Sequence, residues 1–194
     1  MRLTTTALAT ASLLAAVGTA QADPEKFVLD KSHTAVTFTV DHIGYSLTHG
    51  RFSEFDADIM FDPDAPENSS VRFVIDTPSV DTGWAKRDEH VRNADFLDVE
   101  TNPEIVFESK TIEMVDDSTA KLTGELTMNG TTREETFDVT LRKMAPSPFG
   151  AKKMTAGFQA KGTIDRTNYG MDYGKGAIGS EIPVQIDLEI VKDG

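Results

Sequence analysis

Two-residue alternation of apolar and polar side chains runs through most of this chain, and nothing else restricts its fold as strongly. Val36, Phe38 and Val40 alternate with Thr37, Thr39 and Asp41, while Phe55, Ala57, Ile59 and Phe61 alternate with Asp56, Asp58 and Met60. Val71, Phe73 and Ile75 repeat the pattern. After a break come Ile105-Val106-Phe107, then Ile112 and Met114, then Leu122, Leu126 and Met128. Asn129-Gly130 follows, a strong hairpin signal because both central positions of a type I′ turn need positive φ. Phe137, Val139 and Leu141 lie on the return strand. Ala156, Phe158, Ala160, Gly162 and Ile164 mark the next, and Ile182, Val184, Ile186, Leu188 and Ile190 the last. A period of two gives each strand one apolar and one polar face. About eight such strands form an antiparallel sheet that must pack on a partner sheet or close on itself. Closure also removes exposed edges. The predicted fold is therefore all-β, an eight-stranded antiparallel barrel just wide enough to hold one small ligand or to be filled by side chains, with a β-sandwich as the alternative.

One segment lacks the alternation. Asp81 to Asn93 suits a short helix over 83–93, with Asp81 or Thr82 as N-cap and Pro103 beyond its end. So short a helix has little stability in water alone, so Trp84, Val91, Phe96 and Leu97 should pack it onto the barrel, across one mouth. Residues 1–22 read differently again. Arg2 precedes an apolar run, and Ala20-x-Ala22 stands before Asp23, the pattern of a secretory signal peptide cut between Ala22 and Asp23. The expected mature domain, 23–194, has no second long apolar run and should be a soluble periplasmic protein.

Composition removes several functions. With 19 Lys+Arg against 32 Asp+Glu, the net charge of -13 repels nucleic-acid phosphates and anionic headgroups, so no nucleic-acid partner is expected. Zero cysteines exclude disulfides, thiolate metal sites and Cys nucleophiles. The histidines, His33, His42, His49 and His90, have no helical metal-ligand spacing, so no metal and no cofactor are expected. His42 shares the parity of Val36, Phe38 and Val40 and should point inward at one barrel end. Gly-x-Ser-x-Gly and Ser-x-x-Lys are absent, and no catalytic residues are assigned. Gly174-Lys175-Gly176-Ala177-Ile178-Gly179 matches a dinucleotide fingerprint in letters, but it precedes a strand instead of opening a helix. Residues 166–180 are expected to form a mobile glycine-rich loop. Lys86, Arg87, His90 and Arg92 cluster in the one helix. Arg87 or Arg92 turned to the barrel mouth would pair with a polar or anionic head group, and a solvated helix face is the plainer alternative.

Several separated stretches, in order, resemble the YceI-like family of lipid- or polyisoprenoid-binding proteins across essentially the whole mature chain. They are Asp30-Lys31-Ser32-His33-Thr34-Ala35-Val36 through His42, Gly50-Arg51-Phe52-Ser53-Glu54-Phe55, Arg87-Asp88-Glu89-His90-Val91-Arg92-Asn93-Ala94-Asp95-Phe96-Leu97-Asp98 with Pro103 and Phe107, and Leu122-Thr123-Gly124-Glu125-Leu126-Thr127. In the third stretch Val91, Asn93 and Leu97 replace the family's usual Leu, Ser and Phe, which leaves the charged positions intact. The resemblance implies a lipocalin-like barrel with an elongated apolar tunnel for a polyisoprenoid or other long-chain amphiphile. Members differ in ligand, and several are known mainly as exported stress-related proteins.

With that implication, the expected tunnel residues are Phe38, Val40, Phe55, Ala57, Ile59, Phe73, Trp84, Phe96, Phe107, Phe158, Ala160 and Ile186, and the expected head-group residues are His42, Arg87, His90 and Arg92. Ala57, Ala160 and Gly162 have inward parity and small side chains, which should leave room for a ligand; interlocked phenylalanines filling the core are the alternative. Each buried methylene would gain roughly 0.8 kcal/mol, so a dry interior suffices without catalytic machinery. The leading expectation is a carrier or buffer for a polyisoprenoid, quinone-type or fatty-chain lipid, without stable membrane insertion. An enzyme acting on such lipids is the alternative. One Trp and three Tyr are too few for the two aromatic girdles of an outer-membrane barrel. A homodimer through edge or loop contacts would leave no signature in the sequence.

Overall fold

The computed structural model describes residues 23–194, so the expected signal peptide and Ala22 lie outside the described residues. The alternation becomes ten strands: β1 (Glu25–His42), β2 (Ser46–Phe52), β3 (Phe55–Phe61), β4 (Ser70–Asp76), β5 (Val80–Asp81), β6 (Glu104–Met114), β7 (Thr119–Met128), β8 (Thr131–Pro146), β9 (Met154–Asp165) and β10 (Glu181–Lys192). Eight of them close a ring in the order β1-β10-β9-β8-β7-β6-β4-β3 and back to β1, every pairing antiparallel. The fold is a closed barrel, not a sandwich. The two additional strands, β2 and β5, extend beyond it: the C-terminal half of β1 pairs with β2, and β2 with the two-residue β5.

Three strands change parity along their length, and each does so at a β-bulge. In β1 the register slips between Asp30 and Ala35, so Phe27 and Leu29 are buried before it and Val36 after it. In β6 a slip between Ser109 and Thr111 keeps both Phe107 and Ile112 inward, and in β8 a slip between Leu141 and Lys143 does the same for Leu141 and Met144. An inserted residue bends the strand and raises its twist, which closure of a barrel requires. Side-chain hydrogen bonds hold the first bulge. Asp30 Oδ1 accepts from Ser32 N at 3.0 Å and Ser32 Oγ at 2.6 Å, Oδ2 meets His33 Nδ1 at 2.9 Å, and Thr34 Oγ1 donates to the Asp30 carbonyl at 2.7 Å. The predicted Asn129-Gly130 turn is present, with φ of 49° and 70°.

The helix, α1, spans Ala85–Arg92, inside the predicted 83–93. Its N-cap is Trp84, not Asp81 or Thr82, and no side chain caps it. Instead Asp88, buried, reaches back to accept from Thr82 N at 2.8 Å and Thr82 Oγ1 at 2.5 Å. Anchoring also differs from expectation. Leu97 is buried, but Trp84 is 59% exposed, so the tryptophan does not seat the helix. Arg92 does, donating from Nε to Pro78 O at 2.8 Å and from Nη2 to Val80 O at 2.5 Å.

Candidate functional site

One end of the barrel, here called the helix end, carries the β1–β2 turn, α1 and its following turns, the Asn129-Gly130 turn and residues 166–180, and all of these but the Asn129-Gly130 turn contribute to the mouth of an internal cavity. The opposite end carries the β3–β4 and β6–β7 connections and the two ends of the described chain. A cavity of about 860 Å³ runs between them, within the size range of small-molecule sites. Strand parity supplies its wall. Phe38, Val40, Ile59, Phe73, Phe107, Phe158, Ala160 and Ile186 all line it, as the alternation predicts. Trp84 and Phe96 line it at the helix end, together with His42, Arg87 and His90.

Three expected site residues fall elsewhere. Phe55 is buried but does not reach the cavity; it stacks on Phe73 at 6.0 Å, and Phe73 takes the lining position. Ala57 lies opposite Phe73 in the β3–β4 register and likewise does not reach it. Arg92 is spent on the Pro78 and Val80 carbonyls and is not in the lining. Gly162 plays a different part from the one expected. A Cβ there would stand 2.7 Å from the Phe137 ring, so its missing side chain makes room for a phenylalanine of the wall, not for a ligand.

The wall is not evenly charged. Lys86, Arg87 and Arg166 line the cavity, all at the helix end, whereas Asp117 is the one carboxylate in the lining among the described residues and belongs to the β6–β7 connection at the opposite end. For a chain of net charge -13 this is a reversed interior, and it gives the cavity a positive pole. Arg87 reaches Thr82 from Nε (2.7 Å to Oγ1) and Nη2 (2.7 Å to the carbonyl), with its guanidinium 5.9 Å from the centre of the Trp84 ring. His90 sits edge-on to Phe96 and Tyr173, at 5.1 and 4.8 Å, and its Nε2 meets Asp95 at 3.0 Å.

Arg166 and Tyr173 had no periodic signal, because both belong to the segment between β9 and β10. That segment is not the loose loop expected. A 3₁₀ turn at Arg166–Tyr169 buries Arg166 (4% exposed) and Tyr169. Arg166 donates to three carbonyls, those of Gly179 at 2.9 Å, Ile178 at 3.1 Å and Met171. Tyr169 Oη donates to Glu135 at 2.8 Å, and burial first, then that carboxylate, pushes its phenol well above the usual range. Burial lowers the Arg166 guanidinium from its ordinary value. The glycine-rich stretch joins this turn to β10 and opens no helix.

Ligand atoms of Asp30, His33 and Glu189 come within 4.8 Å of one another on the outer surface. The Asp30–His33 hydrogen bond among them already ties the β1 bulge.

A closed antiparallel barrel of eight strands around a long apolar cavity places the chain among lipocalin-like binding barrels. More narrowly, residues 27–190 match the YceI-like domain, and the chain belongs to that family. A UPF0312 protein of Pseudomonas aeruginosa is 35% identical over 192 residues, covering 99% of each chain, and one of Pseudomonas putida is 35% identical over 99% of this chain and 98% of its own. Among solved structures, Burkholderia cenocepacia BcnA superposes with a TM-score of 0.73 at 25% identity, over 83% of this chain and 98% of its own. A polyisoprenoid binding domain from Saccharophagus degradans superposes with a TM-score of 0.65 over 87% of this chain and 99% of its own. At 15% identity it shows likeness of fold alone.

Proposed function

We propose that this protein, once exported to the periplasm, holds an isoprenoid or other long-chain amphiphile inside its barrel and acts as a carrier or buffer for it. The observation that carries the reading is the cavity itself: about 860 Å³, walled by phenylalanine, leucine, isoleucine and valine, with its three Lys and Arg side chains at one end. An apolar chain gains roughly 0.8 kcal/mol per methylene in such a wall, and a polar or anionic head would face Arg87, His90 and His42. The name of the Saccharophagus degradans domain supports the isoprenoid class. Export rests on the residues 1–22 pattern and would appear as an intact mass starting at Asp23 in a periplasmic extract.

Organic extraction of the purified protein followed by mass spectrometry tests the function. A carrier yields one class of long-chain lipid, unchanged on incubation. Recovery of no lipid from any preparation, or conversion of the lipid with time, would overturn the proposal. Ala160 lies in the wall opposite Ile186 on β10 and Val139 on β8, so Ala160→Phe should fill the channel and lower the recovered lipid about ten-fold or more while the barrel stays folded.

A further inference from the structure

At the helix end the apolar surface does not stop at the cavity. Ile43, Tyr45 and Leu47 at the tip of the β1–β2 hairpin are exposed, Tyr45 by 87%, and none of the three lines the cavity. Inward parity on β2 belongs to Ser46, Thr48 and Phe52, which do line it, so Tyr45 and Leu47 point out into solvent. Beside them stand Trp84 and Tyr173, exposed on one side and lining the mouth on the other. Thr48 and Trp84 line the same cavity, β2 pairs with β5 three residues before Trp84, and a bridge between His42 and Ile178 brings the loop after Tyr173 to the same rim.

The turn at the hairpin tip is costly for what it displays. Tyr45 N donates to His42 O at 3.0 Å and Gly44 N to Asp41 Oδ1 at 2.7 Å, which puts Ile43 at φ 59° and Gly44 at φ 73°. That is a β-turn with positive φ at both central positions, set in a three-residue connection that pairs His42 with Ser46; its first central position suits Asn, Asp or Gly, and a β-branched side chain there is strained. Here the strained residue is also apolar and exposed. Strain kept together with exposure points to a use for the side chain.

We infer that this rim is a docking surface for the headgroup layer of a phospholipid bilayer, which the mouth meets when the cavity exchanges lipid. The inference rests on the proposed lipid-carrying function and names the surface from which it is served. Trp and Tyr, each an apolar ring with a polar handle, suit the boundary between acyl chains and headgroups. Lys86 lines the mouth, and no acidic side chain among the described residues is within ion-pair reach of it, so its ammonium is free to meet lipid phosphates. The full chain carries a net charge of -13, which an anionic surface repels, so apolar contact and not bulk charge drives docking. A lipid crossing directly from bilayer to cavity would never expose its chain to water.

Flotation of the purified protein with phosphatidylcholine vesicles tests this. The native protein should float. A Tyr45→Ser, Leu47→Ser double variant should lose about ten-fold or more of its vesicle-bound fraction, yet take up parinaric acid delivered from ethanol as the native protein does. Phe149→Ser, an exposed aromatic at the opposite end, should float normally. So should Ala160→Phe, which blocks the cavity but not the rim. A native protein that stays at the bottom of the gradient overturns the inference, as does a double variant that floats unchanged. Flotation that appears only when phosphatidylglycerol is added, independent of Tyr45 and Leu47, overturns it too. So does a native dimer in sedimentation velocity that the double variant dissociates, since the rim would then be a contact between copies. Flotation through Tyr45 and Leu47 by a protein that takes up no parinaric acid and yields no lipid on organic extraction would support the rim while refuting the lipid cavity.

Discussion

At the opposite end of the barrel, Phe27 meets Phe61 edge to face at 5.5 Å, and Phe61 meets Phe158 at 5.4 Å, an aromatic ladder running from the β1–β3 seam to the cavity wall. At the helix end aromatic rings also cluster, but His90, Phe96 and Tyr173 stand among Arg87, Arg166 and Lys86, and Trp84 turns half its surface to water. The first arrangement is cohesion: rings buried on strands that each have a paired neighbour strand on both sides. The second is a mouth, where side chains are oriented by hydrogen bonds to loop carbonyls and left partly uncovered. Stability should therefore be concentrated in the ladder and function at the mouth.

The largest effect that would break this contrast concerns two aromatic truncations. Phe27 is 1% exposed, and Phe27→Ala should cost about 3–5 kcal/mol through lost burial and a residual cavity. Trp84→Ala, at the rim, should change stability by no more than about 0.5 kcal/mol. Urea titration followed by far-UV circular dichroism reads both. Equal costs would show that the mouth is as much a part of the core as the ladder is.

The contrast also separates what was legible in the sequence from what was not. Parity placed Phe38, Val40, Ile59, Phe73, Phe107, Phe158, Ala160 and Ile186 on the wall because a strand has only two faces and one must be dry. Parity failed at Phe55 and Ala57, since it says which face a side chain takes but not whether another ring stands in front of it. The N-terminal half of β1 was missed. Its inward residues, Phe27 and Leu29, are out of phase with Val36, and only the bulge between them reconciles the two halves. At the mouth the sequence identified the basic cluster but not its division of labour: Arg87 lines the cavity while Arg92, one and a half turns on, ties the helix to the chain. Arg166 and Tyr173 carried no pattern, because loop side chains are placed by specific hydrogen bonds that no periodicity encodes.

Arg166 gives the next sharpest test. Arg166→Ala would leave the Gly179, Met171 and Ile178 carbonyls without their donor and should cost about 2–3 kcal/mol. Amide exchange should rise over residues 171–179 while the ladder stays protected. Arg166→Lys should recover little, because one ammonium cannot reproduce a planar fork aimed at three carbonyls. Uniform exchange over the whole barrel would mean that the mouth is not a separate unit.

The smallest expected effect lies at the β1 bulge, where the strand passes from its seam with β3 to its seam with β2. Hydrogen bonds from His33 and then Ser32 lower the Asp30 carboxyl from 3.8 to about 2, and the same contact with Asp30 raises the His33 imidazole above its ordinary 6.5. A depressed carboxyl stabilises the fold fully above pH 3.8 and loses that contribution as pH falls toward 2. A raised imidazole contributes fully below pH 6.5 and loses its part as pH rises beyond its folded value. The cost of Asp30→Asn should therefore be greatest at about pH 4–6, at about 1 kcal/mol once solvent screening of the partly exposed carboxylate is allowed for. It should shrink on acidification to pH 2 and, less steeply, above neutrality, where the hydrogen bond to a neutral His33 survives. Thermal unfolding of the native protein and Asp30→Asn across that range reads the difference. A gap that stays constant with pH would mean that the bulge is held by its backbone path alone, and that the joint between the two halves of β1 owes nothing to this pair.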